Sequence, residues 1–242
     1  MIQLSLVLLV ILVAIYFLLP DHLFSPGRGR ARYVLDQFMM QNGGACTDAG
    51  SRELVSRIGS RLSAPARERL NDVEFSVVRS AVPNACAIGD HHICVTEGLI
   101  DLMGKREALL APIVAHELGH ILAGHAARRW KDHIFLTGFL YLLIFVFRSP
   151  WLVNALGLGK SLALSKFSRA QEFEADASSV WLCQWAGYDP REAAEALRRV
   201  GAWYENKQVS DPITQYFASH PPIELRVEEV KRLAGEIEQT YS

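Results

Sequence analysis

The sequence predicts an α+β domain, mainly α-helical with a small β-sheet, behind an N-terminal transmembrane helix. Three observations carry this expectation. The first twenty residues are almost wholly apolar. Most of the remaining chain reads as helix, broken by Gly and Pro punctuation. One region, residues 73–96, is instead rich in β-branched residues and holds turn residues in its middle.

The chain has 242 residues, enough for one domain with a sizeable core plus additions. Half the residues are hydrophobic and the formal net charge is −1. No basic stripe dominates, so nucleic acid is not an expected partner. The four cysteines, Cys46, Cys86, Cys94 and Cys183, form no C-x-x-C pair. That argues against a thiolate zinc site, and so few cysteines argue against a disulfide framework. Cys86 and Cys94 flank a Gly89-Asp90-His91 turn and can face each other across a hairpin.

Residues 1–20 read as a membrane anchor. The apolar run from Ile2 to Leu19 has about 18 residues, near the ~20 that span a bilayer. A signal peptide needs basic residues in front and a small-x-small site behind, and Leu18-Leu19-Pro20 is a poor cleavage site. Arg28, Arg30 and Arg32 follow, which under the positive-inside rule keeps the rest of the chain in the cytoplasm. The expectation is a single-pass N-terminal anchor, a linker over 21–32 and one domain over 33–242.

Within that domain, segments near 33–41 and 51–72 look helical. "VEFSVVRS" (Val73 to Ser80) alternates like a strand. "NACAIGDHHICVTEGLID" reads as two short strands around a turn, ending in a helix start near Thr96 or Glu97. Lys105 to Arg129 is expected as one long helix. Phe167 to Trp185 reads as another, followed by a helix that Asp189-Pro190 opens and a last one from Ile223 to about Glu238.

The densest chemistry lies in "VAHELGHILAGH", from Val114 to His125. His116 and His120 are four apart, so on a helix they share a face and can point at one ion. Neutral imidazole suits zinc. Glu117 can sit beside the water position without ligating. Ile113, Val114, Leu118, Ile121 and Leu122 are expected to pack inward. A catalytic zinc also needs a third protein ligand. The extended pattern H-E-x-x-H-x-x-G-x-x-H fails here: Ala123 and Ala126 stand where it needs Gly and His, so His125 is not the third ligand by that route and reads as a polar or capping residue on another face.

"SRAQEFEADASSV" offers the alternative. Glu172 and Asp176 share a helix face. Glu172 can ligate, and Asp176 can accept a hydrogen bond from the far nitrogen of a ligating histidine, fixing its tautomer. Glu174 is about 200° away around the helix from Glu172 and is expected to face elsewhere. The surrounding Phe173, Ala175, Ala177, Val180 and Trp181 make the segment too apolar for a simple solvated face.

HELGH followed by S-R-x-x-E-x-E-A-D resembles the zinc endopeptidase family of HtpX, BepA and the CAAX prenyl endopeptidases. "VPNACAIGDHHICVTEGLI" is similar to that family's N-A-F-A…V-x-V-T-x-G-L-L segment, with Cys86 in place of the commoner Phe. "SHPPIELRVEEV" is similar to its (S/T)-H-P-x-x-x-x-R element. The resemblance covers roughly residues 70–235, and residues 33–70 carry little of it. It implies a zincin-like metallopeptidase domain with one zinc per chain, held by His116, His120 and Glu172. It implies Glu117 as the catalytic carboxylate and protein or peptide substrates. It also suggests that His220 lies near the zinc.

An oxyanion donor is needed in such a reaction. His220 is the first candidate and Tyr216 the second. The rival reading of His220 is a cap on the last helix. Asn84, Ala85, Cys86 and Ala87 form a strand that can pair with an extended substrate, which suits unfolded chains. Residues 134–164 are expected as an apolar hairpin that dips into the lipid bilayer, flanked by Arg128, Arg129, Lys131, Lys166 and Arg169. It lies between His120 and Glu172, which must reach the same ion, so one crossing is impossible. A zinc-binding, chaperone-like scaffold with little turnover is the alternative function. Retention of Glu117 with the whole ligand set speaks against it, and a purely structural membrane protein leaves Glu117, Glu172 and Asp176 unexplained.

Overall fold

A computed structural model describes residues 2–70, 72–147, 168–207 and 223–241. The architecture is α+β, mostly helical, with one three-stranded sheet. Helix α1 (Ile2–Leu18) leads through a 3-10 turn (Asp21–Phe24) to α2 (Arg28–Gln41). Residues 28–32 of the expected linker are therefore helical, and Arg28 is tied to Asp72 at 2.6 Å. Helix α3 (Ala49–Ser63) opens on Asp48, whose carboxylate accepts from the Ser51 N–H at 3.0 Å. Its stripe of Leu54, Val55, Ile58 and Leu62 is buried. Pro65 lies in the 3-10 turn that ends it, and α4 (Arg67–Leu70) follows, so the segment expected to be helical over 51–72 is helical through Leu70 with a 3-10 turn inside it.

Strands β1 (Glu74–Val78), β2 (Ala85–Ile88) and β3 (His92–Thr96) lie in the order β1-β3-β2, with β1 parallel and β2 antiparallel to β3. Gly89, at φ +61°, makes the β2–β3 turn. Cys86 and Cys94 are register partners in this hairpin, and both thiols are buried and free. The Thr96 hydroxyl caps α5 (Glu97–Leu102) by accepting from the Leu99 N–H at 3.3 Å.

The centre of the domain is α6 (Glu107–Leu122), which packs against α3, β2, β3 and two later helices, α8 (Arg169–Trp185) and α9 (Glu192–Lys207). Leu109, Leu110, Val114 and Leu118 are fully buried, each contributing about 1.5–3 kcal/mol on transfer from water. Helix α8 begins with a capping box: Ser168 Oγ accepts from the Gln171 N–H, and Gln171 Oε1 accepts from the Ser168 N–H. The last helix, α10 (Ile223–Tyr241), packs on α8 and α9.

The single helix expected over 105–129 is broken. Helix α6 stops at Leu122, Gly124 takes φ +67°, and α7 (His125–Phe147) starts in a new direction. Helix α7 runs antiparallel to α1: the Tyr16 hydroxyl donates to Asp132 Oδ1 at 2.8 Å, and Leu12 lies beside Gly138. Lys131 Nζ clasps the end of α1, donating to Leu19 O and Asp21 Oδ1, both at 2.8 Å. Among the described residues no helix is long and apolar enough to cross a membrane. The expected 134–164 hairpin starts inside α7, and its part from 148 onward lies outside the described residues.

Candidate metal centre

The i, i+4 spacing on α6 brings His116 and His120 to one point, with their Nε2 atoms 3.1 Å apart. Glu172, from α8, completes the point: its carboxylate oxygens lie 3.5 Å from His116 Nε2 and 3.5 Å from His120 Nε2. All three side chains are buried. Among the described residues this is the one group of three or more donors placed to share a metal ion. Two imidazoles and a carboxylate fit zinc with a position left open.

Gly119 makes this convergence possible. A Cβ there would stand 2.9 Å from Ala175 O and 2.9 Å from Ser178 Cβ, so α6 and α8 cross backbone to backbone at this residue. The glycine of H-E-L-G-H sets the distance between the histidines and Glu172.

Glu117 is buried and accepts the Ala87 N–H at 2.8 Å through Oε2. Burial pushes its carboxyl up to about 7, against the lowering charge of His116. Ala85 and Ala87 belong with the main core around α6, whereas Cys86 points to the opposite face, among Ala31 and Leu35 of α2. Asn84 is pinned to β3 instead, donating from its N–H to Thr96 Oγ1 at 2.8 Å. A cavity of about 40 Å³ adjoins His116 and Glu117, with Ile113, Leu197, Val200 and Val230 in its wall.

The remaining nitrogens of the two histidines are engaged behind this point. His116 Nδ1 lies 2.9 Å from Asp176 Oδ1. Arg226, on α10, holds Asp176 in a two-pronged grip, Nε to Oδ2 at 2.8 Å and Nη2 to Oδ1 at 2.7 Å, with Nη1 3.8 Å from Glu172 Oε2. Burial works to raise the Asp176 carboxyl, but Arg226 and His116 hold it well below the usual carboxylate range. On the other side, His120 Nδ1 lies 2.7 Å from His125 Nδ1, and His125 Nε2 lies 3.2 Å from Glu174 Oε2.

The expected set His116, Glu117, His120, Glu172 and Asp176 is thus assembled in one place. His125 is not among the three converging donors, as expected, and it is fully buried behind His120. Glu174 does turn away from Glu172, yet it reaches His125. Sequence reasoning missed both contacts, and the signal was Gly124, the residue that turns the chain. Arg226 was visible only as the final residue of the H-P-x-x-x-x-R element. His220 and Tyr216 lie outside the described residues.

A buried His-His-Glu donor set with a carboxylate beside it is the arrangement of metal-dependent hydrolases. The model of "Peptidase family M48" matches residues 51–234, and the chain belongs to that family. The match begins inside α3, further back than the 70–235 expected from the motifs, and α3 packs against α6. The chain is 33% identical over 149 residues to the mitochondrial metalloendopeptidase OMA1 of Arabidopsis thaliana, covering 61% of this chain and 29% of that protein. It is 28% identical over 206 residues to a protease HtpX homolog of Caldanaerobacter subterraneus subsp. tengcongensis, covering 65% and 64%. It is 25% identical over 195 residues to the beta-barrel assembly-enhancing protease of Yersinia pestis, covering 76% and 39%. The chain therefore spans between about a third and two thirds of the length of these relatives.

Proposed function

We propose that this chain is a membrane-associated, zinc-dependent metalloendopeptidase that cuts peptide bonds in unfolded or membrane-associated proteins, in a quality-control role. The observation that carries the reading is the convergence of His116 Nε2, His120 Nε2 and the Glu172 carboxylate beside a glutamate that β2 holds in place. The relatives named as metalloendopeptidase or protease support the same class.

In this reading His116, His120 and Glu172 hold one zinc ion. Zinc, when bound, supplies Lewis acidity at the carbonyl to be attacked. Glu117 takes a proton from the attacking water and returns it to the leaving nitrogen. Asp176, clamped by Arg226, accepts from His116 Nδ1–H and so aims Nε2 at the metal. His220, with Tyr216 second, donates to the developing oxyanion. Its support is its place in the sequence six residues before Arg226, which reaches His116 and Asp176 from near the start of α10.

Substrate binds as an added strand along β2, the sheet's edge. Residues 84–87 carry this edge. Thr96 N–H is bonded to Asn84 O while Ala87 N–H is turned out to Glu117, so the backbone groups of Ala85 and Ala87 face the metal side. Backbone pairing reads no particular side chain, which suits unfolded polypeptide.

The α1–α7 pair supports membrane association. Val7, Val10, Ile11, Phe17, Phe139 and Phe145 are exposed apolar side chains on these two helices. At the base of the pair lie Arg128, Tyr16 and Trp130, with Arg30 stacked 3.9 Å above the Trp130 ring. Cations and amphipathic rings in that position match a headgroup layer. The pair dips into the bilayer from the cytoplasmic face and holds the metal centre near membrane-bound substrates.

The test is cleavage of unfolded casein by the full chain in detergent micelles. Chelation should abolish cleavage and added zinc should restore it. Cleavage that chelators leave intact overturns the reading.

A further inference from the structure

His116 and His120 are supported differently. His116 meets a carboxylate directly, through Asp176. His120 instead meets a second imidazole: its Nδ1 is 2.7 Å from Nδ1 of His125, whose Nε2 is 3.2 Å from Glu174 Oε2. Three helices contribute one residue each to this line, α6, α7 and α8. The break at Gly124 creates it. In an unbroken helix, residue 125 would sit about 140° around the axis from residue 120.

Only one order of protons satisfies the line. If His120 Nε2 faces the metal point, it presents a bare lone pair there, and its proton is on Nδ1. That N–H donates to His125 Nδ1, which must then be bare. His125 therefore carries its proton on Nε2 and donates it to Glu174, an acceptor only. Both nitrogens of His125 are used behind His120, so it is not a fourth ligand.

We propose that His125 and Glu174 are positioning residues of the metal centre, locking His120 in the Nδ1–H tautomer and aiming its ring at the ion. The proposal rests on the metal reading above. Glu174 is half-exposed and is itself steadied by Arg128, with Nη1 3.4 Å from Oε2. The buried end of the line, His125, is accordingly the stronger support and Glu174 the weaker.

The test is zinc affinity of the full chain in micelles, by competition with a chromophoric chelator. His125→Leu should weaken zinc binding by roughly 10–100-fold. His125→Asn puts an amide oxygen near the Nδ1 position and should recover most of that loss. Glu174→Ala should weaken binding by up to about tenfold, and Glu174→Gln, which still accepts a hydrogen bond, by much less. The d–d spectrum of the cobalt-loaded protein should shift in His125→Leu and return toward wild type in His125→Asn, a rescue that a loss of packing alone does not predict. Melting of the metal-free proteins reports folding, and if His125→Leu does not fold, the exposed Glu174 pair decides. Folded His125→Leu and Glu174→Ala proteins with wild-type zinc affinity overturn the relay. A wild-type chain that binds no zinc overturns the metal reading first, and the relay with it.

Discussion

The Ala87 backbone N–H donates to Glu117 Oε2 at 2.8 Å, joining the edge strand to the carboxylate of the H-E-x-x-H helix. This contact orients a buried glutamate without using His116, His120 or Glu172. It also means that the strand proposed to bind substrate and the proposed general base move as one unit. Exchanging the Ala87 backbone amide for an ester removes the donor without adding atoms beside Glu117. A hydrogen bond to a charged group is worth about 1.5–3 kcal/mol, so kcat should fall by roughly 10–100-fold with zinc content unchanged. Steady-state kinetics beside metal analysis checks this.

Asp176 and Arg226 form a buried ion pair beside Glu172. Removing one partner leaves the other charge buried without compensation. Arg226→Met should therefore cost about 3–5 kcal/mol in urea unfolding of the metal-free protein. Glu172→Ala should behave differently, losing zinc with a smaller effect on unfolding. Equal unfolding curves for Arg226→Met and wild type contradict the clamp.

Gly119 lies where α6 crosses α8. Gly119→Ala has to push the two backbones apart, because the methyl meets Ala175 O at 2.9 Å. The expected cost is about 1–3 kcal/mol, with weaker zinc binding since Glu172 retreats from the histidines. Gly235→Ala is the control: no atom lies within 4 Å of its added methyl, and the α10 helix should gain about 0.5–1 kcal/mol. Calorimetry and chelator competition on both variants test the contrast.

Much of this site was legible because its spacing is local. His116 and His120 lie on one helix, as do Glu172 and Asp176, and four-residue spacing speaks for itself. What could not be read was contact between helices. Arg226 reaches Asp176 across fifty residues of chain, and in the sequence only the H-P-x-x-x-x-R element marks it. The sequence reads His125 as a polar or capping residue on another face of one long helix, because both flanks of Gly124 look helical and one glycine in a long apolar run does not read as a stop. The start of α2 does not show in the sequence for the opposite reason: Gly27 and Gly29 suggest a linker, whereas the helix starting at Arg28 buries Ala31 and Leu35 against the sheet.

The α1–α7 pair should lie in lipid. Spin labels at Val10 and Phe139, with one at Arg32 for reference, can be read in liposomes containing anionic lipid. The first two should be relaxed by oxygen and shielded from a water-soluble nickel complex, and Arg32 should show the reverse. Strong nickel relaxation at Val10 and Phe139 contradicts membrane insertion.

The most direct test of the central claim is Glu117→Gln, assayed for zinc stoichiometry and for casein cleavage in parallel with wild type. The substitution keeps the shape of the side chain and the acceptor for the Ala87 N–H, leaves His116, His120 and Glu172 untouched, and removes the base. The expected result is one zinc per chain in both proteins, with cleavage by the variant reduced by at least ~10²-fold. Near-normal cleavage by a zinc-loaded Glu117→Gln protein contradicts the assignment of this site as a metallopeptidase centre.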